Sequence, residues 1–84
     1  MNIEPLQIAG AWRISGHRFA DDRGWFQEWF KRSALLKATG YDFSPMQTNI
    51  SRSAANVVRG IHYSTAPSGQ GKLVTVMNGE INDY

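Results

Sequence analysis

The chain contains no cysteine, so neither a disulfide nor a thiolate–metal site can brace it. No apolar stretch approaches the ~20 residues a helix needs to cross a bilayer, so no membrane partner is expected. The opening MNIEPLQIAGAW lacks a basic segment followed by an apolar one. A secretion signal is therefore not expected, and the expected location is cytoplasmic. Basic residues form no run: nine lysines and arginines, against seven aspartates and glutamates, are scattered from Arg13 to Lys72, giving a formal net charge of +2. Nucleic-acid surfaces cluster their basic side chains, so that partner is not expected either. A small anionic ligand gripped by two or three cations suits the scatter better. Repeats and low-complexity segments are also missing. The 84 residues permit one domain, and a domain so short buries only about 60–65% of its unfolded surface. With no cross-links, the expected compensation is a partner chain or further residues.

What is present reads mainly as β-structure. LQIAGAW and RISGHRF are short alternating segments broken by Gly10 and Gly16, as expected of extended chain with a turn between. DDRG, Asp21 to Gly24, is a turn, because Asp supplies local hydrogen bonds and Gly supplies conformational freedom. WFQEWF alternates, with Phe26, Glu28 and Phe30 on one face and Trp25, Gln27 and Trp29 on the other, which predicts a strand. In KRSALLKATG, Ser33 is placed to cap one short helix over Ala34 to Ala38, and Gly40 to end it. MQTNIS, VVRGIHY and KLVTVM then predict strands, with APSGQG as a loop. Asn78-Gly79 predicts a two-residue hairpin into EINDY. That last strand has barely begun at Tyr84, so the expectation is a sheet cut short with an unpaired edge.

His62, in the middle of VVRGIHYS, carries most of the functional interest. A β-barrel metal site needs two neighbouring histidines and a carboxylate. The only other histidine, His17, lies far upstream, so no metal site is expected. A lone histidine in a strand also fits a hydrogen-bonded structural residue. Its surroundings favour a pocket. Glu28 sits between two phenylalanines, Gln47 and Asn49 share a face, and Arg59 and Lys72 lie in expected strands. Burying so many polar groups without partners costs several kcal/mol. Lining a wet cavity removes most of that cost.

The blocks DDRGWFQEWF, MQTNIS, VVRGIHYS and GQGKLVTVMNGEI, in this order and spacing, resemble the dTDP-4-dehydrorhamnose 3,5-epimerase family from about Ile3 to Ile81. The similarity matches the N-terminal half of that family. The resemblance implies a cupin-like β-barrel or jelly roll, of which residues 1–84 form the N-terminal portion. It also implies a dTDP-4-keto-6-deoxyhexose substrate, no cofactor, and a homodimer paired through N-terminal strands.

By the same resemblance His62 is the proton acceptor and Lys72 the cation that stabilises the enolate. The substrate's C4 ketone acidifies the hydrogens at C3 and C5, and a neutral imidazole with an ordinary pKa near ~6.5 can take one at pH 7. The enolate oxygen then needs a positioned positive charge. A solvated strand-end lysine is the plainer alternative for Lys72. Arg23 and Arg59 match positions that contact the diphosphate, where a guanidinium can fork onto two oxygens. Glu28, Gln47, Thr48 and Asn49 match other substrate contacts, and Phe26 either packs beside the base or serves as core. His17 matches no site position.

The family's tyrosine proton donor, and the aspartate that partners the histidine, lie in its second half. Tyr63 and Tyr84 do not occupy the donor position. Inversion needs an acid as well as a base, so impaired activity is expected of these residues alone. The alternative is a non-catalytic remnant that binds a nucleotide-sugar weakly or assembles with a full-length relative. One geometric demand follows from spacing. Arg59 and His62 are three apart and would point to opposite faces of a regular strand. A shared pocket requires an irregularity, for which Gly60 is placed.

Overall fold

The computed structural model describes residues 1–65 and 69–84. It divides into two compact units, Met1–Asn49 and Ile50–Tyr84, each described by itself below. Among the described residues the regular structure consists of two small antiparallel sheets and one short helix.

In the first unit, β1 (Asn2–Pro5) pairs with β2 (Trp12–Ser15), with Ile3 opposite Ile14 and Glu4 opposite Arg13. The alternation in WRIS sets the two faces. Trp12 and Ile14 are half-buried, while Arg13 and Ser15 are exposed. On the outer face Arg13 donates through Nε and Nη2 to Glu4 Oε1, at 2.8 and 2.6 Å. The connecting loop closes through Leu6 N–H to the Ala11 carbonyl (2.9 Å) and Ala11 N–H to the Ile8 carbonyl (3.0 Å). LQIAGAW, expected as an extended segment, is instead mostly this loop, and the strand that pairs with β2 is the preceding Asn2–Pro5.

The DDRG turn joins β3 (Phe19–Asp21) to β4 (Gly24–Phe26), with Phe19 opposite Phe26. Asp21 Oδ1 accepts from the Arg23 backbone N–H at 2.8 Å, and Oδ2 accepts from Arg23 Nη2 at 2.6 Å. Gly24 has φ +135°, a conformation that a side chain would strain. The ladder stops at Phe26, so the long strand expected through Phe30 is not formed. Gln27 instead donates to the Gly16 carbonyl at 3.1 Å and accepts from Arg18 Nε at 3.2 Å. Its side chain takes the place that a pairing backbone would occupy. The approach is close: a β carbon on Gly16 would lie 3.0 Å from the Glu28 carbonyl oxygen.

The helix α1 spans Arg32–Thr39 and contacts β1. It begins earlier than expected, with extended Lys31 at the N-cap and no side-chain cap, so Ser33 lies inside the first turn. Arg32 forks onto Asp42 at 2.7 and 2.8 Å, tying the helix start to the segment beyond its end. The C-terminus is as expected. Gly40 adopts φ +75°, and its N–H donates to the Leu36 carbonyl at 2.8 Å. Thr39 Oγ1 adds a 2.7 Å bond to the Leu35 carbonyl. Leu35 is the buried core residue, 8% exposed. Phe30 and Phe43 meet edge to face nearby in sequence, 5.8 Å between centroids.

In the second unit no strand or helix forms among the described residues. The strands expected at VVRGIHY and KLVTVM, and the hairpin at Asn78-Gly79, are absent. So is the strand expected at MQTNIS, which straddles the two units. Val58 and Ile61 are 95% and 96% exposed. A strand holds its register only when one face is buried and a neighbour supplies its ladder. Neither condition is met here. Gly60 has φ +123° and Gly79 φ +93°. The expected APSGQG loop falls partly outside the described residues, at positions 66–68. Beside it, Gln70 N–H donates to Ser64 Oγ at 3.0 Å.

Candidate active site

Six residues singled out in the sequence lie in the first unit. Arg23 sits at the tip of the β3–β4 hairpin, where it holds the Asp21 carboxyl below its ordinary range, first through its guanidinium and then through its backbone N–H. Phe26 ends β4 with its ring exposed across from Phe19. Glu28 follows where the chain passes Gly16, and it is exposed. Gln47, Thr48 and Asn49 are exposed at the unit's end, with Gln47 Nε2 donating to Asn49 Oδ1 at 3.3 Å. That bond keeps the two amides on the same side of the chain. The alternation of Gln-Thr-Asn implied the same, although no strand forms there.

The other three lie in the second unit. Arg59 donates through Nε to Ser53 Oγ at 2.8 Å and through Nη2 to the Arg52 carbonyl at 3.1 Å. Its fork is occupied by its own loop. Gly60 then turns the backbone away from strand geometry. His62 is exposed, so its ring is not packed among the valines and isoleucines around it. Lys72 is exposed and joins no ion pair among the described residues.

Two shallow, open clefts occur within the first unit. One, of about 280 Å³, is lined by Met1, Asn2, Ser15, Gly16 and His17. The other, about 320 Å³, is lined by Asp21, Asp22 and Arg23. His17, assigned no role from sequence, packs its ring edge-on to Phe19 at 4.6 Å. Arg18 lies over the Trp25 ring at 4.0 Å, a cation–π contact. Only the hairpin register brings that pair together, so spacing gave no signal of it. Among the described residues no three His, Asp or Glu side chains cluster in a way that could hold a metal ion. Among the described residues no helix is long and apolar enough to cross a membrane.

Taken in chain order, then, an arginine-tipped hairpin, an amide pair, an arginine beside a turned glycine, an exposed imidazole and an exposed ammonium are the chemistry the described residues display. Comparison with known proteins gives that order a meaning. Residues 5–84 match the dTDP-4-dehydrorhamnose 3,5-epimerase family. The dTDP-4-dehydrorhamnose 3,5-epimerase of Streptomyces griseus is 42% identical over 81 residues, covering 96% of this chain and 40% of the relative. The enzyme of the same name from Mycolicibacterium smegmatis is 40% identical, over 99% of this chain and 41% of the relative. That from Escherichia coli is 39% identical, over 99% and 45%. No solved structure matches significantly. The relatives are epimerases, a class of isomerase. The chain belongs to the dTDP-4-dehydrorhamnose 3,5-epimerase family, and it spans about 40% of the length of the curated relatives it matches.

Proposed function

We propose that this chain supplies the base-bearing, nucleotide-binding part of a dTDP-4-dehydrorhamnose 3,5-epimerase. The observation that carries the proposal is the family match over residues 5–84, which spans every residue assigned a role. His62 removes a proton from the carbon beside the C4 ketone, at C3 and then C5. Lys72 faces the oxygen on which negative charge develops, where a cation lowers the barrier most. Arg23 and Arg59 grip the diphosphate. Glu28, Gln47, Thr48 and Asn49 hold the base and sugar, and Phe26 packs beside them. The chemistry requires no metal and no cofactor, because the ketone itself delocalises the charge. The pathway served is dTDP-L-rhamnose biosynthesis in the cytoplasm, feeding polysaccharide assembly.

The two units belong, on this proposal, to one cupin-like barrel whose remaining strands come from the rest of the family's length. Closing a barrel gives each strand two neighbours, which is what the apolar side chains of the second unit lack. A homodimer through N-terminal strands fits β1, which among the described residues pairs with β2 alone. The φ of +123° at Gly60 supports a pocket shared by Arg59 and His62, since it breaks the alternation that would otherwise send them to opposite faces.

A second possibility is favoured by one specific observation. Arg59 is engaged by Ser53 and Arg52, and His62 and Lys72 stand in solvent. Taken alone, such a chain is a non-catalytic remnant that binds nucleotide-sugar weakly or assembles with a full-length relative. Incubating the 84-residue chain with dTDP-4-keto-6-deoxyhexose in D2O separates the two. Deuterium at C3 or C5 that disappears in His62→Ala establishes a working base, and no uptake leaves the remnant.

A further inference from the structure

Asn78-Gly79 was expected to turn a hairpin, and it stands instead in an exposed bend with no ladder on either side among the described residues. The chain has five asparagines, at positions 2, 49, 56, 78 and 82, followed by Ile, Ile, Val, Gly and Asp. Only at Asn78 does the next backbone nitrogen lack a neighbouring side chain. Gly79 has φ +93°, and apart from its two chain neighbours no heavy atom of the described residues lies within 4 Å of where its β carbon would stand. Gly79 has no side chain to crowd that nitrogen, and an unpaired, glycine-containing bend has the backbone freedom to bring it to the Asn78 amide.

We propose that Asn78 is a site of spontaneous deamidation. The Gly79 nitrogen, giving up its proton, attacks Asn78 Cγ. The new carbon–nitrogen bond closes a cyclic imide while the Cγ–Nδ2 bond breaks, and Nδ2 leaves as ammonia with the transferred proton. Water then opens the imide at one of its two carbonyls, giving aspartate or isoaspartate. The net change is amide plus water to carboxylic acid plus ammonia, with no oxidant or reductant. A carboxylate two residues before Glu80 replaces a neutral amide, lowering the formal net charge from +2 by one. The isoaspartyl product also routes the main chain through one additional carbon. The tight turn that Asn-Gly favours cannot form on that lengthened backbone, so ageing at this position bars the segment from the hairpin that its sequence favours.

Peptide mapping of the whole chain after incubation at mildly alkaline pH tests the proposal, with isoaspartate read by enzymatic methyl transfer. The expected result is deamidation at Asn78 ahead of Asn2, Asn49, Asn56 and Asn82. Asn56 is the sharpest internal control, being exposed with φ +64° but followed by Val57. Gly79→Ala should reduce the Asn78 product to the level of the other four, and Asn78→Gln should remove most of the methyl-accepting signal. The proposal is overturned if Asn78 reacts no faster than Asn56, or if either substitution leaves the isoaspartate yield unchanged.

Discussion

Replacing Leu35 with alanine removes the buried apolar side chain of the first unit. Leu35 lies on α1, the helix that contacts β1, and is 8% exposed, so nearly all of its side chain is withdrawn from water. The change deletes three carbons, at about 0.8 kcal/mol each for transfer. An incompletely filled cavity adds to this, which places the loss at about 2–4 kcal/mol. A folded unit of this size has only a few kcal/mol in total, so Leu35→Ala should melt α1 at ambient temperature. Leu36, the next residue, is 42% exposed. The same truncation there should cost about 1–1.5 kcal/mol. Urea titration followed by far-ultraviolet circular dichroism compares the two. Equal losses from Leu35→Ala and Leu36→Ala would refute the assignment of Leu35 as the core of this unit.

Further outcomes can be measured. Gly40→Ala places a β carbon at φ +75° in open space, so the cost is backbone strain alone, about 1 kcal/mol, visible as a lower denaturation midpoint. Asp42 is held below its ordinary 3.8 by Arg32, chiefly through the side-chain hydrogen bond. A depressed folded pKa contributes stability present above the unfolded value and lost as pH falls through the folded one. Helix content should therefore drop on the acid side of pH 3.8, and Asp42→Asn should abolish that part of the pH dependence in a circular-dichroism titration. In an active assembly, Lys72→Ala should slow proton exchange by about 10²–10³-fold, the usual effect of removing one oxyanion-stabilising group. Ligand titration should show much less change in affinity for dTDP.

The parts of the fold legible in the sequence were those decided by contacts a few residues apart. DDRG made its turn because Asp21 satisfies the Arg23 N–H locally. Gly40 ended the helix because the required conformation belongs to glycine. The helix start was missed because the Arg32–Asp42 pair spans the whole helix and leaves no mark in a capping pattern. WFQEWF alternated as a strand should, yet its ladder stopped at Phe26, where Gln27 turned back to Gly16. VVRGIHY and KLVTVM were read as strands, yet no strand forms there among the described residues, because a β-prone run does not supply its own neighbour. The site residues were legible as an ordered set of blocks. On the proposed function their mutual geometry comes from a closed barrel, which no local pattern encodes.

The most direct test of the account joins residues 1–84 to the remaining part of the Streptomyces griseus relative and follows solvent deuterium entering C3 and C5 of dTDP-4-keto-6-deoxyhexose. Exchange at both carbons, lost in His62→Ala while dTDP still binds, is the predicted result. Exchange that persists undiminished in His62→Ala would contradict it.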